Sequence, residues 1–378
     1  MALGPGKSVQ LIAVPSGLIA LVAQDRSGGD QDLYGIRLST PELHIVARER
    51  VNELPGSARA TGEGGPVLAG DRGASAIYAI WNQDDPRHLF ANRLRCSRYD
   101  RAAHRWLPSV LINDDRAPST HSFPAAAVGL DGSLYVAWID RRHNALAGAA
   151  DYPGGGDRTH DPEPGASLYV AVSRDGGRTF TKNRYVSGSV CGCCRVALAV
   201  IGQTVVAAWR GIDAGDIRDI TVAASPDGGG TWTKPHVAVR DGWKINGCPH
   251  VGPTLAVVGD ELHLAWLTAA GGEARIQWAV SKDGSRTFSA PVKLSNGAHR
   301  VNGPHFLEAD GSAQLVFHGF DGAGRATLFG LSPPRDFSPK PLVTEAQESI
   351  AYPVAAGEYV AWLAGKEAGT EVRLAKKK

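Results

Sequence analysis

Four of the five cysteines in this chain fall in two short segments, V-C-G-C-C-R at Val190 to Arg195 and I-N-G-C-P-H at Ile245 to His250. Thiolate sulfur and imidazole nitrogen are ligands for soft and borderline ions, so Cys191, Cys193, Cys194, Cys248 and His250 form a candidate site for copper or zinc. On an extended strand Cys191 and Cys193 share a face and Cys194 points away, whereas a turn at Gly192 brings Cys191 and Cys194 together. A single Met in 378 residues leaves no material for a thioether copper box. The alternative chemistry is a staple. In an exported protein Cys248 forms a disulfide with one of the clustered cysteines and leaves the others as a redox pair or spares. A staple needs one cysteine on each side, and C-x-C-C supplies three. Cys96, near an outer strand, reads as a small buried apolar residue.

The elements that must position these residues repeat along the chain. An apolar strand, a Gly-containing turn and a second strand ending in an aromatic residue recur at Trp81, Trp138, Trp209, Trp266, Phe317 and Trp362. The stretch Val9 to Ala23 makes a less regular copy without tryptophan. A third strand follows each hairpin, as in S-L-Y-V-A-V-S and R-I-Q-W-A-V-S, and then a motif S-x-D-x-G-x-T-aromatic or a degraded form of it. Good copies begin at Ser173, Ser225 and Ser281, while Ser97 to Trp106 and Ser332 to Ser338 are eroded. The aspartate can accept hydrogen bonds from its own turn, the glycine can take positive φ, and the aromatic residue restarts a buried strand.

Four antiparallel strands per unit of roughly 45 to 70 residues describe an all-β fold, a β-propeller, in one domain over residues 1–378. Seven units are counted; six blades plus an accessory N-terminal hairpin is the alternative. The last unit stops after its third strand, T-E-V-R-L-A, and the N-terminal segment is expected to supply the missing edge. The first strands of the blades line the axis, so their opening segments converge there. These segments are G-E-G-G-P before Val67, S-T-H-S-F-P, V-C-G-C-C-R, I-N-G-C-P-H, V-N-G-P-H and S-I-A-Y-P. His121 and His305 hold the same structural position as the cysteines and join the candidate ligands. The interruption His143 to Gly165 reads as a long surface loop and a candidate lid.

The three S-x-D-x-G-x-T copies resemble the Asp box of the sialidase (neuraminidase) superfamily and its many non-sialidase relatives, and the resemblance runs over nearly the whole chain. It implies a propeller in which each box joins the two outer strands of a blade. For a sialidase it also implies three arginines on the substrate carboxylate, a tyrosine and glutamate nucleophilic pair, and an aspartate acid and base. The F/Y-R-I-P motif that carries the first arginine aligns with His121, Ser122, Phe123 and Pro124, so Ser122 stands where the clamp should be. Asn246 and Gly247 stand where relatives often have Asn-Glu. Tyr352, Asp140 with Arg141 and Arg142, and Arg195, Arg210 and Arg300 are the remaining candidates, and Tyr352, Asp140 and Arg195 are taken as the catalytic set if the chain is a glycoside hydrolase.

Composition fits many short strands and tight turns, with 43% hydrophobic residues, 46 Gly and 23 Pro. A formal net charge of +2 gives no basis for nucleic acid or an anionic membrane as partner. No stretch is long and apolar enough for a transmembrane helix. Lys7 followed by the apolar run Val9 to Ala23 mimics a signal peptide, but Pro15, Ser16 and Gly17 interrupt it, and the strand, turn and strand reading recurs downstream. The expectation is a periplasmic or secreted monomer whose partner is a metal ion or a glycan. Three functional readings remain: metal handling or metal-dependent chemistry in the cell envelope, exo-α-sialidase or related glycoside hydrolysis, and non-catalytic glycan or protein binding.

Overall fold

The structure is a computed structural model. It describes all residues except 28, 72, 146–165, 310–311, 346–347, 367–368 and 378. Most of the interval His143 to Gly165, expected as a surface loop and candidate lid, lies outside the described residues; its first residues fall in the one-turn helix Arg142–Ala145.

The chain folds as a β-propeller. Five four-stranded antiparallel sheets stand separately, and a ten-stranded sheet holds the first two units. Those two units were expected as separate blades. A two-residue strand, Ala58–Arg59, fuses them by pairing with Gln31 on one side and with Asn82 and Gln83 on the other. The innermost strands are Ser8–Val14, Val67–Gly70, His121–Val128, Ala197–Ile201, Thr254–Val258, His299–Ala309 and Ser349–Ala356. Each lies against the next, and the last lies against the first, so the ring closes and blades can be numbered 1 to 7 in chain order. The N-terminal hairpin is the inner half of blade 1 and not an accessory. Ala2–Pro5 pairs antiparallel with Gly369–Lys376 and becomes the fourth strand of blade 7.

The aromatic residues that end the second strands are the bolts of the core. Trp138, Trp209 and Trp266 are fully buried, as is Phe317, and Trp81 is nearly so. Each fills the space between neighbouring sheets, and truncation of such a ring to alanine costs about 3–5 kcal/mol.

The three S-x-D-x-G-x-T segments form the same turn between third and fourth strands. At the first copy Ser173 Oγ donates to Asp175 (2.8 Å) and accepts from Gly177 N (2.8 Å). Thr179 donates through N (3.0 Å) and Oγ1 (2.6 Å) to the same carboxylate. Asp227 and Asp283 repeat this arrangement. Two consecutive residues take positive φ, Gly176 and Gly177 in the first copy but Gly284 and Ser285 in the third. The register set by these outer turns fixes which residues open the inner strands.

Candidate functional site

The inner strands open through bulges. Register shifts lie between Ser122 and Ala125, between Asn302 and His305, and between Ala351 and Val354. In each bulge the residue before proline takes left-handed backbone: Phe123 (φ 52°), Gly303 (φ 61°) and Tyr352 (φ 50°). For the two aromatic residues this conformation costs on the order of 1–2 kcal/mol, a strain that packing must hold in place. The bulges aim side chains of several blades at one another around the axis.

Arg195, from blade 4, is central to this axial group. Its Nη1 lies 3.3 Å from Glu63 Oε2 of blade 2, and its Nη2 donates to the Pro304 carbonyl of blade 6 (2.5 Å). The Glu63 side chain is 7% exposed, and among the described residues its Oε1 has no hydrogen-bond partner. Burial raises the Glu63 pKa above the ordinary carboxylate value, and the Arg195 guanidinium offsets only part of that. His305 and His318 are pushed down to about 4, first by burial and then by Arg195. Both imidazoles are therefore neutral at neutral pH, and among the described residues His318 Nδ1 has no hydrogen-bond partner. The Tyr352 hydroxyl is held above its usual pKa by burial and then by Glu63. Its ring lies across Gly62, where a Cβ would meet Tyr352 Cε2 at 2.1 Å. His250 is exposed, also in left-handed backbone (φ 51°).

The cysteines form a second group at the boundary of blades 4 and 5. A turn at Gly192 and Cys193 takes the place of strand, with Cys194 N donating to the Cys191 carbonyl (3.3 Å), so the turn arrangement holds and not the shared strand face. Cys193 is disulfide-bonded to Cys248, while Cys191 and Cys194 are free and buried. Cys191 Sγ lies 3.3 Å from Cys193 Sγ and 3.6 Å from Cys194 Sγ. The sulfurs of Cys191, Cys193 and Cys194 all lie within 4.8 Å of one another.

Two buried arginines face this sulfur group. Arg218 Nη1 donates to Cys191 Sγ (3.2 Å). Arg210 spends its guanidinium on the carbonyls of Val251, Arg218 and Leu267 and stacks 4.9 Å from the Trp243 ring. The hydrogen bond with Cys194 and the Arg218 charge hold the Cys191 thiol well below the usual range, while Cys194 is driven up by its bond to Cys191 and by burial. Cys96 stands apart, its thiol pushed up to about 12 by burial alone, as expected of an inert core cysteine.

His121 and Asp140 belong to neither group. His121 Nε2 lies 3.0 Å from Asp115 and 3.5 Å from Asp140, and its Nδ1 lies 2.9 Å from the Asn92 carbonyl. Asp140, fully buried, accepts from the Trp138 indole (2.7 Å) and from Arg142 Nη2 (2.8 Å). Asp115 is held down at about 2; burial opposes this, and the His121 hydrogen bond leads the groups that bring it about. Although Asp115, His121 and Asp140 could bracket an ion, Arg142 already occupies both carboxylates. These residues make an ion-pair network joining blades 2 and 3. Of the other arginines, Arg195 reaches the axis, Arg210 is buried between blades, and Arg300 is exposed.

Sequence reasoning passed over Glu63 and His318. Glu63 carries the only carboxylate in the six opening segments, and that signal was available. His318 sits on a second strand, and only the pairing of Asn302 with His318 turns it toward the axis.

No known protein family matches the chain, and no curated protein sequence does. Solved structures do. A puromycin-hydrolysing peptidase from Mycobacterium tuberculosis superposes with a TM-score of 0.58 at 14% identity, covering 99% of this chain and 52% of that one. The NanB sialidase from Streptococcus pneumoniae gives 0.52 at 9% identity over 95% of this chain and 83% of the other. A Trypanosoma rangeli sialidase in complex with the inhibitor DANA gives 0.52 at 14% identity over 88% and 56%. The chain thus spans about half the length of the peptidase it resembles. The likeness is one of fold, shared with sialidases and related propeller enzymes, and a fold shared by a peptidase and a sialidase does not carry an activity across.

Proposed function

We propose that this propeller binds a soft metal ion, copper or zinc, through Cys191, Cys193, Cys194 and Cys248 in their reduced form, and that its role is metal handling or metal-dependent chemistry in the cell envelope. One observation carries the reading: Arg210 and Arg218, 1% and 3% exposed, flank a sulfur cluster, and among the described residues neither has a carboxylate oxygen within ion-pair distance. A buried cation without an acidic partner is costly, and a site of several thiolates around a metal carries the negative charge that offsets it. The Cys193–Cys248 disulfide must be reduced first. His250, two residues beyond Cys248, is a further donor at the rim, whereas His121 and His305 are assigned to other groups.

The test is anaerobic titration of fully reduced protein with Zn(II) and with Cu(I), read by elemental analysis and a thiol count. One bound equivalent that protects the clustered thiols, and is lost in Cys191→Ser, supports the reading. Reduced, folded protein that binds neither ion above the level of Cys191→Ser would reject it.

A second reading rests on the axial group. Tyr352 in strained backbone, the partly unpartnered Glu63 and the Arg195 cation converge on one side of the ring, which suits a glycan ligand or glycoside hydrolysis with Tyr352 and Arg195 in the site; Asp140 is spent on Arg142 and Trp138. Turnover of a sialoside substrate that disappears in Tyr352→Phe would favour this reading, and no turnover combined with no glycan binding would remove it.

A further inference from the structure

The Cys193–Cys248 disulfide is not isolated. A third sulfur, Cys191 Sγ, is 3.3 Å from Cys193 Sγ, inside the range at which a nucleophile approaches its target. Cys191 is 1% exposed, and Arg218 donates to its sulfur from 3.2 Å, so a cation supports negative charge on that atom. Cys193 and Cys248 are both half-buried and lie nearer the rim. Cys194, buried behind Cys191, has its sulfur 3.6 Å from Cys191 Sγ and 3.9 Å from Cys193 Sγ. A staple needs only two of these four sulfurs.

We propose that the four cysteines form a thiol–disulfide relay that exchanges with the disulfide of an incoming protein or small molecule. In the first step Cys191 Sγ attacks Cys193 Sγ. The Cys191–Cys193 bond forms, the Cys193–Cys248 bond breaks, and Cys248 leaves as the thiolate. No electrons enter or leave, since one thiolate and one disulfide give one thiolate and one disulfide. The reactive sulfur has moved from a buried position to the rim. In the second step Cys248 attacks an external disulfide RSSR, forming a mixed disulfide and releasing RS⁻. Cys194 then displaces the second RS⁻ by attacking the Cys248 sulfur. In sum, the Cys191 and Cys194 thiols lose two electrons and two protons and RSSR gains them as two RSH, leaving Cys191–Cys193 and Cys194–Cys248 bonds. Metal binding plays no part in this sequence, so the relay and the metal reading fail independently.

Two measurements on metal-free, unreduced protein test it. Prolonged native alkylation with iodoacetamide, followed by peptide mapping without reduction, should place the label on Cys248 together with a Cys191–Cys193 disulfide. Labelling of Cys248 should fall at least ten-fold in Cys191→Ser and persist in Cys194→Ser, with near-ultraviolet circular dichroism as the check on folding. Oxidised glutathione as substrate should yield two free glutathione thiols per chain and the 191–193 and 194–248 pairing. Wild-type protein that keeps the Cys193–Cys248 bond while Cys191 or Cys194 takes the label overturns the proposal. So does oxidation that simply joins Cys191 to Cys194 across their 3.6 Å separation.

Discussion

Replacing Arg195 with methionine isolates the interaction on which the axial group depends. At 3.3 Å from Glu63 Oε2, the guanidinium contributes at most about 5 kcal/mol of direct attraction in a medium of effective dielectric near 20. The realised value is smaller, because Arg195 is 21% exposed and because Glu63 can take up a proton instead of remaining charged. Breaking a buried pair by removing one partner costs about 3–5 kcal/mol, and we expect the lower figure here at pH 7. The loss must depend on pH. Glu63 already has a raised pKa in the folded state, and without Arg195 it rises further. A carboxyl whose pKa is raised by folding holds its proton more tightly in the native state, so its penalty is absent below the unfolded pKa of about 4.3 and grows as pH rises toward the folded value. Urea unfolding of Arg195→Met, Glu63→Gln and the double variant, at pH 5 and pH 8, measures this. The single Arg195→Met loss should be larger at pH 8, and Glu63→Gln should recover most of it. Additivity of the two changes to within about 0.5 kcal/mol, or a loss independent of pH, would refute the coupling.

Other perturbations follow from particular contacts. Arg218→Met should raise the titration midpoint of the Cys191 thiol by about 1–3 pH units, read by ultraviolet thiolate absorbance, because it removes the cation 3.2 Å from the sulfur. Ser285→Gly should stabilise by about 0.5 kcal/mol in urea unfolding, since relief of left-handed backbone at φ 75° outweighs the extra freedom of the unfolded chain. Asp115, held at about 2, contributes on the order of 2 kcal/mol that is fully present above its unfolded pKa near 4 and is lost as pH falls through 2; the gap between wild type and Asp115→Asn should narrow accordingly between pH 6 and pH 2. Gly62→Ala should lower the melting temperature and displace Tyr352, visible in near-ultraviolet circular dichroism, because the new Cβ overlaps the ring at 2.1 Å.

The propeller was legible because its signals are local. Trp138, Trp209 and Trp266 close their hairpins within one stretch of chain, and Asp175, Asp227 and Asp283 each bond to residues four places away. The site was legible only in outline, because its geometry is made by contacts between blades. Opening segments could be ranked as axial, but nothing in S-T-H-S-F-P says that His121 turns to Asp115 and Asn92 instead of toward the cysteines. Asp140 looked free to act and is spent on Trp138 and Arg142. The choice of Cys193 over Cys191 or Cys194 as the partner of Cys248 depended on a turn at Gly192 that spacing left open.

The strand that completes blade 7 has a consequence for how the ring is made. Met1 N donates to the Leu374 carbonyl, so hydrogen-bonding partners are 373 residues apart in the chain. At about 5–20 residues per second of synthesis, the first strand waits on the order of 20–75 s before its neighbour exists. During that interval the N–H and C=O groups of Ala2–Pro5 have no ladder partner, and the six blades already made form an arc with an unpaired margin at each end. Closure is therefore the last and least local event of assembly, and a binding factor or a slow step there would act on yield without touching any residue of the finished site.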